Sequence, residues 1–202
     1  MKEAKNESVV VREGKGNPAS CLASSRLLLA TGFMDGSIMV AELENRRDLF
    51  SLVGHSDTVV GLGFLGEEVL VSGARDGWIC SWDLETKTRL NCVRASEGRL
   101  SGVAVRHPLI LTASWDGNLK VWSRKLELTS KLPTNGTPLN CCLLHPSKDM
   151  AMSGGWDSTV RVWDLVSLKQ RAVLRGHQSS VQAIALTEDE RKIISGSLDG
   201  TV

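Results

Sequence analysis

The sequence of 202 residues contains no tyrosine, only three phenylalanines and no long apolar run. Its apolar runs, such as Leu27–Ala30, extend to only four residues, whereas a transmembrane helix needs about 20 apolar residues. The N-terminal segment Met1–Glu7 is charged and lacks the apolar stretch that a secretory signal requires. The pattern therefore predicts neither a membrane protein nor a secreted precursor.

Neither sign of charge is in excess, because 24 lysines and arginines balance 23 aspartates and glutamates. A net charge of +1 argues against a polyphosphate-binding face spread over the whole molecule, although it leaves a local basic patch open. Hydrophobic residues make up 42% and charged residues 23%, which is typical of a folded domain and not of a disordered chain.

The sequence also lacks any Cys-x-x-Cys pair, so metal-ligand spacing is absent. Its five cysteines are odd in number, which favours a reducing compartment, the cytoplasm or the nucleus. We expect reduced thiols that act as small buried hydrophobes, and we expect no metal or other cofactor. The cysteines are Cys21, Cys80, Cys92, Cys141 and Cys142.

An internal repeat with a period of about 41 residues is the strongest signal in the chain. A turn-forming tripeptide with a central aspartate recurs five times, at separations of 41, 40, 41 and 42 residues. A hydroxyl residue lies four positions before each aspartate, and a tryptophan lies six positions after it in the three middle copies. The aspartates are Asp35, Asp76, Asp116, Asp157 and Asp199.

Each repeat has the pattern of four short strands. An apolar run such as Val69–Val71 leads into the turn, and a run that alternates with period two, such as Ser158–Trp163, follows it. Further strands are predicted upstream, as at Thr58–Phe64, and downstream, as at Arg171–Leu174. A four-stranded antiparallel unit of about 41 residues is typical of a β-propeller blade.

These residues resemble the Trp-Asp (WD) repeat family of β-propellers. The resemblance rests on Gly54-His55, Ser72–Gly77, Ser81–Leu84, Ser153–Asp157 and Val162–Leu165, and it covers residues 14–202. It implies an all-β fold of four-stranded antiparallel blades. The implied repeats are 14–53, 54–94, 95–133, 134–174 and 175–202, preceded by a segment 1–13 in which Val9–Val11 would be an outer strand of an earlier blade.

The chain has too few blades for the closed ring of the family that it resembles, because such rings usually contain seven blades. At this period the chain supplies about 4.9 repeats, and the fifth copy stops before its last two strands. We expect a fragment or truncated isoform of a longer propeller protein. A closed ring of five blades and assembly with another chain are the alternatives.

The resemblance also implies a structural hydrogen-bond network of His, Ser or Thr, Asp and Trp in each blade. We expect the histidine N–H and the serine hydroxyl to donate to the buried aspartate, and the serine to bond the indole. Ser96 or a neighbour, and Asn135, stand near the histidine position in the third and fourth copies, while the first copy keeps only Thr31 and Asp35. The predicted network residues are His55, Ser72, Asp76 and Trp82, then Thr112, Asp116 and Trp122, then Ser153, Asp157 and Trp163, and finally His177, Ser195 and Asp199.

Two patterns suggest enzyme chemistry that the repeat explains better. Ser, His and Asp could form a catalytic triad, but a triad needs one exposed nucleophile in a cleft, and this set recurs at successive turns. Gly61–Gly66 matches the dinucleotide-binding pattern, but that motif needs a helix that opens at it, and here it falls in a predicted strand. We therefore expect no enzyme activity.

A partner-binding patch is predicted where the resemblance places the top face of the blades. The positions carried over are the residue before the turn aspartate and the residue before the inner strand. Tryptophan and arginine are frequent interface anchors, and guanidinium groups bind carboxylate or phosphate. We expect Arg75, Arg99, Trp115 and Trp156 to form one contiguous patch for an acidic or phosphorylated protein or peptide, with the alternative that the indoles only cover the blade tops.

The leading functional prediction is a non-catalytic protein–protein interaction scaffold within a multiprotein complex. One alternative is a ribonucleoprotein or nucleic-acid-associated component, and another is a regulatory sensor propeller of a larger multidomain protein. Direct binding to nucleic acid is not expected, because proteins that bind nucleic acid usually have a dominant basic surface, and a net charge of +1 does not indicate one.

Overall fold

The computed structural model describes residues 17–45 and 47–202 of the chain, so the predicted segment 1–13 and its strand Val9–Val11 lie outside the described residues. The described part is all-β and contains no helix, and hence none long and apolar enough to cross a membrane. Its strands are β1 (Ala19–Ser24), β2 (Leu28–Phe33), β3 (Ile38–Glu42), β4 (Arg47–Leu52), β5 (Val59–Leu65), β6 (Val69–Ala74), β7 (Trp78–Asp83), β8 (Thr88–Arg94), β9 (Leu100–Arg106), β10 (Leu109–Ser114), β11 (Leu119–Trp122), β12 (Leu128–Leu132), β13 (Leu139–Leu144), β14 (Met150–Gly155), β15 (Val160–Asp164), β16 (Lys169–Leu174), β17 (Val181–Leu186) and β18 (Ile193–Ser197).

These strands form four antiparallel sheets of four strands and a fifth sheet of two. Each sheet is a meander in chain order, which confirms the predicted blades, and we number them blade one (β1–β4) to blade five (β17–β18). Consecutive blades pack on one another through their first strands, since β5 contacts β1 and β9, and β13 contacts β9 and β17. The ring is open in the described residues, where blades one and five do not pack together.

The core lies between the faces of consecutive blades. Ile38 and Val40 of blade one are buried against Leu62 and Leu70 of blade two, and the same arrangement repeats at the next two junctions. Because every second residue of a strand points to the same face, one blade supplies side chains to the junction on each side. Burial between neighbours therefore stabilises blades that have no separate core of their own.

Glycines in β5 let the next blade approach closely. A Cβ atom at Gly61 would lie 2.8 Å from the Cβ atom of Val103, and one at Gly63 would overlap the Val105 side chain. Gly66 follows in a turn with φ of +74°. The three glycines that match the dinucleotide pattern thus lie in a strand and its turn: Gly61 and Gly63 allow the blades to pack closely, and Gly66 allows the turn.

The cysteines correct one expectation from the sequence. Cys80 and Cys92 face each other across β7 and β8, with Cα atoms 4.1 Å apart, and they form a disulfide. The prediction of five reduced thiols was wrong for this pair. The two cysteines are 12 residues apart in the sequence, so a search for closely spaced cysteines does not find them, and it is the antiparallel pairing of the strands that brings them together. Cys21, Cys141 and Cys142 are free, and burial raises the pKa of the first two thiols to about 11 and about 12.

Candidate functional site

The aspartate turns between the second and third strands define one face of the propeller, which we call the top face. In blade two the Gly77 N–H donates to the Ala74 carbonyl, and Gly77 has φ of +87°, a conformation that favours glycine. The Asp76 carboxylate accepts the Trp78 N–H, which closes the turn through the side chain. The same two bonds recur in all five copies, so each turn presents its residue before the aspartate in the same way.

A second repeated bond places these residues beside the inner strand. The Trp115 N–H donates to the Arg99 carbonyl at 2.9 Å, and the Trp156 N–H donates to the Pro138 carbonyl at 3.0 Å. The equivalent bond in blade two joins Arg75 to Thr58. The two kinds of position predicted to bind partners are therefore paired neighbours within each blade.

Arg99, Trp115 and Trp156 come together on the top face of blades three and four. The indole rings lie 6.1 Å apart between centroids and are tilted by 57°, and the Arg99 guanidinium lies 5.7 Å from the Trp115 ring centroid. Both rings face solvent, since Trp115 is 41% and Trp156 57% exposed. We call these three residues the aromatic patch.

Arg75 lies outside this contact set. Its side chain is exposed on blade two, and no cation–π contact or ion pair joins it to the aromatic patch within the described residues. The predicted four-residue patch is thus a cluster of three, with Arg75 on the adjacent blade.

Asn140 fixes the orientation of Trp156, and sequence reasoning missed it. Its carbonyl oxygen accepts the Trp156 indole N–H at 3.0 Å, while its amide nitrogen donates to the Val181 carbonyl of blade five at 2.9 Å. The position is signalled in the sequence by polar residues at the second place of the first strand, since Ser20 and Ser101 make the same bond to the next blade.

The hydrogen-bond network is continuous in blade two. The Trp82 indole N–H donates to the Ser72 hydroxyl at 2.7 Å, Ser72 lies 2.8 Å from His55 Nε2, and His55 Nδ1 lies 3.1 Å from Asp76. One tautomer satisfies every group: Nδ1–H donates to the carboxylate, and Nε2 accepts the serine proton. The serine therefore bonds His55 and not Asp76, contrary to our expectation. His177, Ser195 and Asp199 make the equivalent contacts in blade five.

The network is broken into two halves where histidine is missing. In blade three Trp122 bonds Thr112 and Ser96 bonds Asp116, but no bond joins these pairs. In blade four Trp163 bonds Ser153, and Asn135 bonds Asp157. Serine and asparagine are too short to reach from the aspartate to the hydroxyl that an imidazole would contact.

In blades three and four, where histidine is missing, a basic residue of the third strand contacts members of the hydrogen-bond network. The sequence did not predict this contact. Arg161 in blade four donates to the Asp157 carboxylate through Nε at 3.2 Å and through its terminal nitrogen at 2.7 Å. Lys120, at the same position in blade three, donates to the Ala95 carbonyl and lies over the Trp122 ring. Blade two, which has histidine, has Cys80 there.

The turn aspartates are held in their charged form. Burial by itself would raise their pKa, but hydrogen bonds outweigh it, from His55 at Asp76 and from Arg161 at Asp157, and both pKa values are lowered. At Asp116, hydroxyl donors from Ser114 and Ser96 overcome the effect of burial and lower the pKa to about 2. These carboxylates accept bonds as fixed anions, and in blade two the imidazole and the serine are buried, so that blade does not expose its serine as a nucleophile.

Comparison with known proteins agrees with this geometry. A family model described as "WD domain, G-beta repeat" matches residues 46–83, 89–123, 126–164 and 168–202. The chain belongs to the WD-repeat family. Each of the first two WD-repeat matches spans the outer strand of one blade and the first three strands of the next, as with β4 and β5–β7. The sequence repeat therefore connects neighbouring blades.

The chain is similar to several larger WD-repeat relatives. It is 29% identical over 176 residues to angio-associated migratory cell protein of Homo sapiens, covering 85% of this chain and 41% of the relative. It is 28% identical over 177 residues to U3 small nucleolar RNA-associated protein 15 homolog of Gallus gallus, covering 85% and 34%. It is also 25% identical over 175 residues to telomerase protein component 1 of Rattus norvegicus, covering 86% and 7%. The chain thus spans about two fifths or less of the length of these relatives.

The WD-repeat blades present no cluster of three metal-ligating side chains within the described residues. The aromatic patch instead combines two apolar ring faces with one guanidinium group. Such a surface can bury an apolar side chain and pair with an anionic group beside it.

Proposed function

We propose that the chain is a non-catalytic interaction scaffold that binds an acidic or phosphorylated protein segment at the aromatic patch. The supporting observation is the exposed pair of Trp115 and Trp156 with Arg99 beside it. Large exposed aromatic side chains cost solvation free energy, and they are enriched with arginine among residues that dominate binding energy. Arg75, exposed at the equivalent turn of blade two, is a further cation on the top face.

The two indoles play different parts in this proposal. Trp156 has its indole N–H bonded to Asn140, so it offers an apolar ring face in a fixed orientation. The Trp115 indole N–H has no hydrogen-bond partner within the described residues, and it is free to donate to a backbone carbonyl of the bound segment. Arg99, stacked on Trp115, retains its N–H groups for a carboxylate or phosphate.

The test uses three forms of one peptide, with serine, glutamate or phosphoserine at a central position next to a leucine. Isothermal titration with the full chain should rank phosphoserine and glutamate above serine. The change Trp115→Ala or Trp156→Ala should weaken binding about tenfold or more. Trp78→Ala is the matched control, because Trp78 is 39% exposed and makes no contact with the aromatic patch. Equal affinity of the three peptides, or an equal loss in the control, would contradict the proposal.

A role within larger assemblies, in the nucleus or the cytoplasm, is the second part of the proposal. Two relatives are named as a U3 small nucleolar RNA-associated protein and a telomerase component, and both names favour a ribonucleoprotein setting. If this chain joins such an assembly through protein contacts, its sedimentation with the complex should survive mild ribonuclease and be lost on Trp115→Ala/Trp156→Ala. Loss on ribonuclease alone would favour direct RNA contact.

A further inference from the structure

A belt of exposed cations runs along the outer edge of three consecutive blades, away from the aromatic patch. The cations cluster where the third strand turns into the fourth, at the end of the blade opposite the aspartate turns. Each blade contributes two, and all six side chains are exposed. The basic belt consists of Lys87 and Arg89 in blade two, Arg124 and Lys125 in blade three, and Lys169 and Arg171 in blade four.

Cations outnumber anions along this belt. Within residues 83–90, 123–128 and 164–171, the six cations face four carboxylates, which leaves an excess of two positive charges. The carboxylates are Asp83, Glu85, Glu127 and Asp164. The carboxylates of Asp83 and Asp164 accept backbone N–H groups of their own turns. None of the six cations forms an ion pair within the described residues. A chain with net charge +1 therefore carries a local basic surface that its composition conceals.

Contacts between blades make the belt continuous. The Lys87 ammonium lies 5.2 Å from the centroid of the Phe50 ring on the outer strand of blade one. The Lys125 carbonyl accepts the Asn91 side-chain N–H from the outer strand of blade two at 3.0 Å. In blades two and three the turn thus contacts the outer strand of the preceding blade, so the cations at that turn adjoin that strand.

Exposed leucines accompany the cations in every blade of the belt. Leu90 is 55%, Leu128 53% and Leu168 38% exposed, although each belongs to or adjoins an outer strand. A phosphate backbone would bury none of this apolar area, whereas an acidic protein segment with aliphatic side chains would bury it and pair with the cations. The chemistry favours such a segment over a nucleic acid.

We propose that the basic belt is a second docking surface, independent of the aromatic patch, for an acidic partner segment that also carries aliphatic residues. The cations steer and orient the segment, and the leucines supply apolar contact area. Two surfaces of different composition would let one propeller segment hold two partners at once.

The test measures binding of a fluorescent 24-residue peptide of alternating glutamate and leucine to the full chain by anisotropy. The triple reversal Arg89→Glu/Lys125→Glu/Lys169→Glu should weaken binding about tenfold or more, with a shallower dependence on salt. The change Leu90→Ser/Leu128→Ser should weaken binding with little change in salt dependence. Arg26→Glu/Lys148→Glu/Lys192→Glu is the control, because it reverses the same number of exposed cations outside the belt.

Three outcomes overturn the proposal. Equal loss in the control reversal would show that net charge alone governs binding. If Trp115→Ala/Trp156→Ala weakened binding of the peptide and the charge reversal in the belt did not, the peptide would bind at the aromatic patch. Belt-dependent binding of a 24-nucleotide polyuridine RNA, with no binding of the peptide, would assign the belt to nucleic acid.

Discussion

Single residues decide how firmly each turn is tied to its blade. His55 bridges the turn aspartate and the core serine in blade two, and His177 does the same in blade five. In blades three and four the bridge is absent, and Lys120 and Arg161 reach the region from the third strand. An imidazole can accept and donate in one plane, whereas an ammonium or guanidinium group can only donate, so these substitutes cannot rebuild the chain of bonds.

The complete network should make Asp76 more important than Asp35. Asp76→Ala leaves the buried His55 N–H without an acceptor, which costs about 1–3 kcal/mol of the free energy of unfolding. Asp35 is exposed and accepts bonds from Ser37 of its own turn without a buried histidine beside it, so Asp35→Ala should cost less. Urea denaturation of both variants checks this, and equal midpoint shifts would reject the role of the network.

The turn positions that follow the aspartates offer a matched pair of backbone tests. Ser158 has φ of +61° where the equivalent residue of blade two is Gly77, with φ of +87°. Ser158→Gly should raise the free energy of unfolding by about 1 kcal/mol or less, because it relieves left-handed strain. Gly77→Ser should lower it by about 2 kcal/mol or more, because strain is added and its Cβ atom would lie 2.6 Å from the Ser96 carbonyl oxygen. Thermal melts that shift in the same direction for both variants would contradict this account.

Strands and turns were predictable from the sequence because they depend on local pattern. The aspartate turns, the β-branched runs and the period of about 41 residues placed β6 and β7 close to their observed bounds. What escaped prediction depends on neighbours across strands or blades. Cys80 and Cys92 belong to different strands, and no local pattern shows that they meet. Asn140 bonds Val181 of the next blade, and only comparison with Ser20 and Ser101 in other repeats signals that contact.

The junction between blades two and three tests packing at the scale of whole strands. Gly63→Ala adds a methyl group that overlaps Val105, so it should lower the free energy of unfolding by about 1–3 kcal/mol. The loss should be partly recovered in Gly63→Ala/Val105→Gly, which removes the Val105 Cβ atom that lies 2.4 Å from the added methyl group. Gly176→Ala is the control, because its Cβ atom would contact nothing within 4 Å. A double mutant no more stable than the sum of the single changes predicts would show that the strands do not compete for this space.

At the scale of the whole molecule, the net charge and the composition do not reveal the two surfaces that we propose bind partners. The net charge of +1 left a local basic patch open without locating it, and the fold places six exposed cations on one edge. The top-face positions were predicted from the family resemblance, and ring contacts join three of the four, Arg99, Trp115 and Trp156. Charge and exposure depend on which sequence-distant residues share a surface, and composition carries no such information.

The turn aspartates also link stability of the whole propeller to pH. Asp116 is the clearest reporter, because neutral hydroxyl and amide donors lower its pKa to about 2. A carboxyl group whose pKa is lower in the folded chain stabilises the fold above its unfolded pKa of about 3.9, and that contribution disappears as pH falls through the folded value. Asp116→Asn should therefore be less stable than the wild type at pH 7, and the difference should shrink between about pH 4 and pH 2.

Urea denaturation of both proteins across this pH range measures the difference directly. Asn118→Ala is a useful companion, because it removes an amide donor to Asp116 without removing the titrating group. It should retain most of the pH dependence that Asp116→Asn loses. A stability difference between wild type and Asp116→Asn that stays constant from pH 7 to pH 2 would show that hydrogen bonding to the charged carboxylate does not stabilise this turn.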